Sequence, residues 1–474
     1  MWDIVLTRHR EQSLSRQLFF QIKDLILEGK LNAGELLPSS RFLAKELGIS
    51  RSTVTEAYDM LQAEGFVAGR QGARLNVLEG LSLHQGSAKR LGLEKGKERC
   101  EPTRPFWIDF KTGQPDVHQF PHSRWRQLLT RACDRLREED MGYSDPAGYE
   151  PLRNEICEWL FRTRGINAVP QDLFLTAGTT HALSILVDLL ASKELPIAVE
   201  DPCHSAVIEI VKSRGFPYTA IPVDEHGLQT AFLAAHPFAA LSAVYVTPSH
   251  QFPLGGIFPA ERRAQLVRRA RSKGFYILED DYDSEFRYEG APITPMYSMD
   301  RERVLYMGSF SKTLFPALRI GFVLLPPELH GPWLHGRRYL DVQNSILEQA
   351  ALAEFLHTRK LDAYIRQSNK RYADKRRVLC ESISHYFGSR AVFHGDRSGL
   401  HLVLQIPGMA FGEEFLANCK EKGVRVEPVE RYCQEKGRHP DKLLMGYGHL
   451  SLEEIPIQVE SFYHFLSEVD RGIR

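Results

Sequence analysis

The sequence predicts an α/β fold built on a mostly parallel sheet, preceded by a small helical unit that a linker separates from it. Three observations lead to this prediction. From residue 106 to residue 474, strand-like apolar runs alternate with helical patterns, which is typical of parallel sheets with crossover helices. Residues 79–105 are rich in Gly, Ser, Lys, Arg and Glu, as flexible linkers are. Residues 1–78 alternate short helical patterns with turns.

The composition excludes several classes of protein. With 43% hydrophobic and 25% charged residues, the chain is typical of globular proteins and not of disordered ones. The 60 Lys and Arg balance 60 Asp and Glu, so a protein that coats nucleic acid along its whole surface is excluded, whereas a local DNA-binding module is not. The seven scattered cysteines form no C-x-x-C pair, so we expect neither a disulfide framework nor a metal site. The chain has no apolar run near about 18 residues and no signal-peptide core, so we expect no membrane span and a cytoplasmic location.

The segment SSRFLAKELGISRSTVTEAYD, residues 39–59, has the spacing of a helix-turn-helix unit. Ala44 is small where two helices must touch, and Gly48 permits the left-handed backbone of a tight turn. Ser50 is suited to cap the second helix. The helical period turns four side chains of that helix inward, namely Val54, Ala57, Tyr58 and Leu61.

The outward side chains of this unit are suited to DNA. Ser52 and Thr55 face outward from the second helix, and Arg51 lies at its start, where a recognition helix meets the major groove. Two short apolar stretches then flank a Gly-rich basic tip, residues 70–74, as in a β-wing. The alternative for the spacing alone is an ordinary helical hairpin. The order of preceding helix, capped turn and basic wing favours DNA binding.

This region resembles the GntR-type winged helix, on the residues LPSSRFLAKELGISRSTVTEAYDMLQAEGFV. The wing departs from the family's usual Gly-Thr-Phe-Val, because it reads Ala73-Arg74-Leu75-Asn76-Val77. The resemblance implies contacts to double-stranded operator DNA from Ser39, Arg41, Arg51, Ser52, Thr53, Arg70, Gln71 and Arg74.

A lysine in the larger region has the surroundings of a reactive amine. Lys312 follows the strand-like run RVLYMG within Ser309-Phe310-Ser311-Lys312. A lysine held at a strand end can form a Schiff base with an aldehyde. The two serines and Arg319, seven residues on, can bind a phosphate. A solvated surface lysine is the alternative for this motif alone.

Two further motifs suit the same chemistry. Glu279-Asp280-Asp281-Tyr282 ends the apolar run FYIL, and a carboxylate there can pair with a pyridinium nitrogen. Gly178-Thr179-Thr180 lies between a strand-like run and a helix, where backbone N–H groups can bind phosphate. The alternatives are carboxylates that cap a loop or a helix, and an ordinary helix cap.

Together these segments resemble the fold type I, class I aminotransferases, over residues 107–474. The resemblance implies a mostly parallel central sheet with a smaller C-terminal α/β subdomain, and pyridoxal 5'-phosphate as cofactor. It implies that Lys312 forms the Schiff base, that Asp280 (or its neighbour Asp281) binds the pyridine nitrogen, and that Tyr282 contacts the ring oxygen. It assigns the phosphate to Arg319, Ser309, Ser311, Gly178, Thr179 and Thr180. In GYSDPAGYEPLR it assigns Tyr143 to the phosphate of the partner subunit, which implies a homodimer.

Three positions differ from, or extend, the aminotransferase pattern. His204 stands where an aromatic residue usually stacks on the cofactor ring. The loop PSHQFPLG lacks the usual Asn-Pro-x-Gly, so the asparagine contact is absent or is replaced by His250 or Gln251. Arg431 is the resemblance's candidate for binding an effector or substrate α-carboxylate, with Arg425 as the second choice.

The two regions joined by a linker resemble the MocR/GabR family of bacterial transcriptional regulators. The resemblance implies a regulator that senses an amine, an amino acid or pyridoxal phosphate through the aminotransferase-like region. One alternative is an active aminotransferase with an accessory DNA-binding head. Another is an interaction domain that has lost the cofactor, and the intact set of Lys312, Asp280, Tyr282 and Arg319 argues against it.

Overall fold

The computed structural model describes residues 2, 4–7, 12–69, 74–82, 107–235, 240–290 and 293–473. The chain divides into two compact units, Met1–Thr103 and Arg104–Arg474. Arg70, Gln71 and most of the predicted linker lie outside the described residues. None of the described helices combines the length and the apolarity needed to cross a membrane.

The smaller unit is a winged helix-turn-helix, as the sequence predicts. Its elements are α1 (Leu14–Leu27), α2 (Ser40–Leu47), α3 (Arg51–Ala63), β1 (Val67–Ala68) and β2 (Asn76–Val77). The two strands pair antiparallel, with Val67 opposite Val77, and form the base of the wing.

The turn between α2 and α3 has the predicted geometry. Gly48 adopts a left-handed backbone with φ of 64°, and its N–H bonds to the carbonyl of Ala44. The hydroxyl of Ser50 accepts the N–H of Thr53 at 3.1 Å and so caps α3. The four inward side chains of α3 are buried and join the core of this unit, namely Val54, Ala57, Tyr58 and Leu61.

The larger unit is built on an eight-stranded sheet with the order β4-β11-β10-β9-β8-β5-β6-β7. The first nine strands of this unit are β3 (Ile108–Asp109), β4 (Leu173–Thr176), β5 (Ile197–Asp201), β6 (Tyr218–Asp224), β7 (Gly227–Leu228), β8 (Ala243–Val246), β9 (Tyr276–Asp281), β10 (Val304–Ser309) and β11 (Gly321–Leu324). The five strands from β10 to β6 are parallel, which confirms the predicted mostly parallel sheet. Strand β11 runs antiparallel to both of its neighbours.

Helices cover both faces of this sheet because its strands are apolar on both sides. Successive residues of β9 belong to two different hydrophobic clusters: Ile277 lies in one and Leu278 in the second, on the opposite face of the strand. A sheet of such strands needs a layer of helices on each of its two faces. The helices of the larger unit that precede the C-terminal subdomain are α4 (His122–Arg135), α5 (Glu150–Arg164), α6 (Thr179–Leu190), α7 (Ser205–Ser213), α8 (Thr230–Ala235), α9 (Ala260–Lys273), α10 (Pro327–Leu340) and α11 (Ile346–His357).

A smaller C-terminal α/β subdomain follows, as the resemblance implies. Its elements are α12 (Lys360–Phe387), β12 (Val392–His394), β13 (His401–Gln405), α13 (Glu413–Lys422), β14 (Val424–Arg425), β15 (Glu427–Pro428), β16 (Lys442–Gly446) and α14 (Glu454–Ile473). Strands β12, β13, β16 and β15 form an antiparallel sheet in that order. Strand β14 pairs with β3, so the chain that enters the larger unit is anchored in this subdomain.

Candidate functional site

A cavity of about 350 Å³ lies where the parallel strands β8, β9 and β10 end. Parallel strands present their carboxyl ends at one edge of a sheet, which brings residues distant in sequence together. The cavity is lined by ten of the predicted site residues: Gly178, Thr179, Thr180, His204, Asp280, Tyr282, Ser309, Ser311, Lys312 and Arg319. Residues that the sequence analysis missed also line it, among them Thr112, Gly113, Tyr245, Asp283, His401, Glu427 and Tyr432.

The amine of Lys312 is held inside the cavity by one backbone bond. Its Nζ donates to the carbonyl of Gly113 at 2.7 Å. Burial lowers the pKa of Lys312, and Asp283 and Asp280 oppose that shift. Gly113 has φ of 68°, and a Cβ there would lie 2.5 Å from Nζ. Glycine is therefore required both for this backbone and for the position of the lysine amine.

Asp280, and not Asp281, presents its carboxylate to the cavity. One oxygen of Asp280, Oδ2, accepts the hydroxyl of Tyr245 at 2.8 Å. The other, Oδ1, is buried and has no hydrogen-bond partner among the described residues. Burial raises the pKa of this carboxyl to about 7. Asp281 points to the other face of β9, where its Oδ2 accepts bonds from Arg164 and Tyr306, each at 2.5 Å.

A set of donors for an anion lies at the start of α6. Gly178 precedes the helix with φ of 103°, and no side chain caps the helix, so its first N–H groups remain available. The guanidinium of Arg319 donates to the carbonyl of Ala177, beside Gly178. A Cβ on Gly178 would lie 3.3 Å from this guanidinium. Ser311 adds a hydroxyl, and its N–H donates to Ser309 Oγ at 3.1 Å.

Tyr282 is positioned by a buried histidine. Its hydroxyl donates to the carbonyl of His250 at 3.2 Å, and His250 Nδ1 lies 2.9 Å from Asp283 Oδ2. Burial alone would lower the pKa of His250, but Asp283 raises it overall. The amide of Gln251 donates to the carbonyl of Pro202 at 2.8 Å. Neither of the two residues expected to replace the missing asparagine lines the cavity, because both bond to the protein instead.

His204 lines the cavity beside an aromatic group. Its Nδ1 accepts the N–H of Ala206 at 3.2 Å and caps α7. Its ring centroid lies 5.4 Å from that of Phe252. Burial and the nearby Lys312 lower the pKa of His204, so its imidazole is neutral near pH 7.

The structure does not bring the expected carboxylate-binding arginines into the cavity. Arg431 is exposed and does not line it, and Arg425 lies 3.1 Å from Asp109. Glu427 and Tyr432, from the same stretch of chain, line it instead. The placement of Arg431 therefore differs from the expectation, because β15 and the turn after it present other side chains inward.

Tyr143 does not line the cavity of its own chain. Its side chain is 93% exposed. The backbone of this segment is held by Gln343, whose Oε1 accepts the N–H of Ser144 at 2.6 Å. Other large apolar side chains are exposed as well. They are Met141, in the segment of Tyr143, and Tyr339 and Leu340, at the end of α10.

The predicted DNA-contacting side chains cluster at the starts of α2 and α3. Ser39, Arg41, Arg51 and Ser52 are exposed there. Arg74, in the wing, is also exposed. Thr53 is half-buried, and its hydroxyl lies 2.7 Å from Ser50 Oγ. Arg51 Nε donates to Ser40 Oγ at 3.3 Å, which links the starts of the two helices.

The residues that sequence reasoning missed left weak local signals. Thr112 and Gly113 lie in KTGQPD, a turn-forming stretch directly after a short strand, and that pattern could have marked a site loop. His401 and Glu427 lie on short strands of the C-terminal sheet. Which face such a strand turns to the cavity depends on its pairing, which the sequence does not display.

Comparison with known proteins assigns both units to families. Residues 106–436 match the family described as aminotransferase class I and II, and residues 14–77 match the bacterial regulatory proteins of the gntR family. The HTH-type transcriptional regulator YdeL of Bacillus subtilis is 32% identical over 96% of each chain. The probable rhizopine catabolism regulatory protein MocR of Rhizobium meliloti is 31% identical over 90% of this chain and 89% of its own. The chain belongs to the MocR-type transcriptional regulators.

The larger unit of this MocR-type protein has the fold of solved aminotransferases. The α-aminoadipate aminotransferase LysN of Thermus thermophilus superposes with a TM-score of 0.70 at 22% identity, over 76% of this chain and 92% of its own. That enzyme was solved with N-(5'-phosphopyridoxyl)-L-leucine. The likeness confirms the predicted aminotransferase-like fold.

Proposed function

We propose that this MocR-type protein is a DNA-binding transcriptional regulator that carries pyridoxal 5'-phosphate on Lys312 and responds to an amine or amino acid. The observation that carries the proposal is the convergence of three kinds of group in one cavity. These are a buried amine, a buried carboxylate oxygen of Asp280 without a partner among the described residues, and the donors at the start of α6.

The residues of the cavity fit this cofactor. The free oxygen of Asp280 suits a protonated ring nitrogen, since a buried acceptor without a donor is costly. The start of α6, Ser311 and Arg319 suit a phosphate, and the donors of a helix N-terminus favour anions. Lys312 suits the carbonyl carbon. When bound, the cofactor supplies an aldehyde that captures amines reversibly.

The bond between Lys312 and Gly113 links ligand binding to the backbone. A cofactor held on Lys312 would take the amine out of its hydrogen bond to the Gly113 carbonyl, and an effector amine that displaces the lysine would allow that bond to form again. An effector shifts a conformational equilibrium only as far as it binds one state better than the other. The stretch from Ile108 to Gly113 is paired with the C-terminal subdomain through β3 and β14. The gain or loss of the bond at Gly113 therefore acts on a segment that is paired with the C-terminal subdomain.

The smaller unit is the proposed reader of operator DNA. Exposed hydroxyl and guanidinium groups at the starts of α2 and α3 are placed as in a recognition helix, whose N-terminal residues enter the major groove. We further propose a homodimer, which brings two such units to two half-sites. The side chains of Met141, Tyr143 and Tyr339 are apolar and exposed. Their exposure supports a dimer in which a second copy of the chain covers them.

The decisive experiment compares the visible spectrum of the purified protein with its DNA binding. Lys312→Ala is expected to remove the visible absorbance of the lysine-bound cofactor, and the exposed Lys420→Ala is the matched control. A band that survives in Lys312→Ala contradicts the cofactor assignment. In the unaltered protein, titrated amines and amino acids should include one that changes both the spectrum and the DNA affinity. Spectral change without any change in DNA affinity contradicts the sensor role.

A further inference from the structure

Glu427 is an acidic residue of the cavity that the proposed cofactor set does not use. It lies on β15 and lines the same cavity as Lys312. Its Oε2 accepts the hydroxyl of Thr112 at 3.2 Å and the hydroxyl of Tyr432. Its Oε1 has no hydrogen-bond partner among the described residues. Two hydroxyl donors thus orient the carboxylate and leave one oxygen available to a ligand.

This carboxylate has no cationic partner within the part of the chain that the structure describes. The lysine and arginine that line the cavity are Lys312 and Arg319, and they donate to the carbonyls of Gly113 and Ala177. Glu427 forms no ion pair with either. With a phosphate bound at the start of α6, the guanidinium of Arg319 would be engaged by the phosphate and not by Glu427.

Glu427 is close enough to Lys312 to act on the same small ligand. Thr112 bonds to Glu427, and the next residue, Gly113, accepts the Lys312 amine. The wall beside Glu427 is aromatic, since the ring of Tyr432 lies 5.1 Å from that of Phe252, centroid to centroid. The ligand therefore meets an amine-reactive end, an apolar wall and a carboxylate.

We propose that Glu427 selects effectors with a second cationic group, so that the effector class is short-chain diamines and not amino acids held by their carboxylate. This inference rests on the proposed cofactor and sensor function. A second ammonium gains a charge-assisted hydrogen bond to Glu427 Oε1, whereas a ligand carboxylate at that position is repelled. Neither Arg431 nor Arg425 lines the cavity, so neither of the expected arginines is placed there to bind an α-carboxylate.

The test uses three probes of equal chain length on the cofactor-loaded full-length protein. They are 1,4-diaminobutane, 1-aminobutane and 4-aminobutanoate, which differ only in the group at the far end. Dissociation constants are measured by the change in visible absorbance and by calorimetry. We expect the diamine to bind about tenfold more tightly than the monoamine, as one hydrogen bond to a charged group implies, and 4-aminobutanoate to bind most weakly.

Variants separate the role of Glu427 from general damage. Glu427→Gln keeps the size of the side chain and is expected to reduce the preference for the diamine over the monoamine to less than about twofold, from the tenfold above. Glu427→Lys is expected to reverse the order in favour of 4-aminobutanoate. Glu421→Gln, an exposed acid on α13, is the control and should retain the preference of the unaltered protein. Thermal melting checks that each variant is folded.

Three outcomes overturn the inference: equal affinities for the three probes, tightest binding of 4-aminobutanoate, or an unchanged diamine preference in Glu427→Gln. Failure of all three probes to bind by calorimetry overturns it as well. If the visible absorbance of the cofactor on Lys312 is present, each of these results leaves the proposed function uncontradicted. A missing band in the unaltered protein contradicts the proposed function instead, so the two failures are distinguishable.

Discussion

Two adjacent aspartates on β9 have different roles because their side chains lie on opposite faces of the strand. Asp280 faces the cavity with one oxygen that has no partner among the residues that the structure describes, and Asp281 faces Arg164. Sequence reasoning placed a carboxylate at the end of this strand but left the choice between the two open, because it depends on which strand face meets the cavity. Lys312 was identifiable because its neighbours in sequence are also its neighbours in space. Glu427 was not, because its partner Thr112 is remote in the chain.

The buried carboxyl of Asp280 predicts a pH-dependent stability in the cofactor-free protein. Burial raises its pKa from 3.8 to about 7, so the native state keeps a proton that the unfolded chain releases as the pH rises through this window. Stability is therefore lost between about pH 4 and pH 7, at up to about 1.4 kcal/mol per pH unit. Asp280→Asn should melt at a higher temperature than the unaltered protein at pH 8, and at a similar temperature at pH 4.

The neighbouring carboxylate is the control for that experiment. Asp281→Asn removes the charge partner of buried Arg164 and should lower the melting temperature at pH 8. A stability gain of Asp280→Asn that is equal at both pH values would contradict the assignment, because an effect of ionisation must vanish where the carboxyl is protonated.

Gly113 provides a second test at the scale of single residues. In Gly113→Ala the new methyl would meet Lys312 Nζ on a backbone with φ of 68°, so we expect the cofactor-free protein to be destabilised by at least about 1 kcal/mol. Gly408→Ala is the matched control, because it also has a positive φ (87°) but no atom within 4 Å of the added Cβ. An equal loss of stability in the two variants would show that the contact with the lysine is unimportant. Stability is read from the melting temperature of the cofactor-free protein.

At the scale of elements, helix starts, apolar periods and the mostly parallel character of the sheet were readable from the sequence, whereas the direction of each single strand was not. The capped start of α3 and its inward face follow from the local sequence alone. The run that forms β11 is apolar, as buried strands are, but its antiparallel direction between β4 and β10 depends on a chain path that local patterns do not encode. The same limit hid the inward residues of the C-terminal sheet, including His401.

The cap of α3 gives a prediction for one element. Ser50→Ala removes the acceptor for the N–H of Thr53 and should destabilise the helix by about 1 kcal/mol. Amide hydrogen exchange of α3 should then be about fivefold faster. Ser50→Asp retains an acceptor and should retain most of the protection. If Ser50→Ala and Ser50→Asp exchange at the same rate, the cap does not stabilise α3.

For the whole molecule, charge balance restricts how it can hold DNA. The formal net charge is +0, so DNA affinity must come from a few placed side chains. We expect a modest salt dependence on a mixed-sequence duplex. Arg51→Ala should weaken binding and reduce the magnitude of the slope of log K against log salt concentration by about 1 per winged helix. Exposed Arg268→Ala on α9 should leave both values unchanged. A steep slope that Arg51→Ala does not alter would locate the phosphate contacts elsewhere.

The entry of the chain into the larger unit has a mechanical consequence. The backbone around Phe110 is bonded on both sides, to the carbonyl of Arg425 and to the N–H of Gly446. Three residues later, Gly113 accepts the amine of Lys312. The chain thus reaches Lys312 within a few residues of the first strand of the larger unit. A change in the hydrogen bond between Lys312 and Gly113 therefore acts on a backbone that is also bonded to β14 and β16, so occupancy of the cavity should alter the amide hydrogen exchange of Phe110 and Gly446.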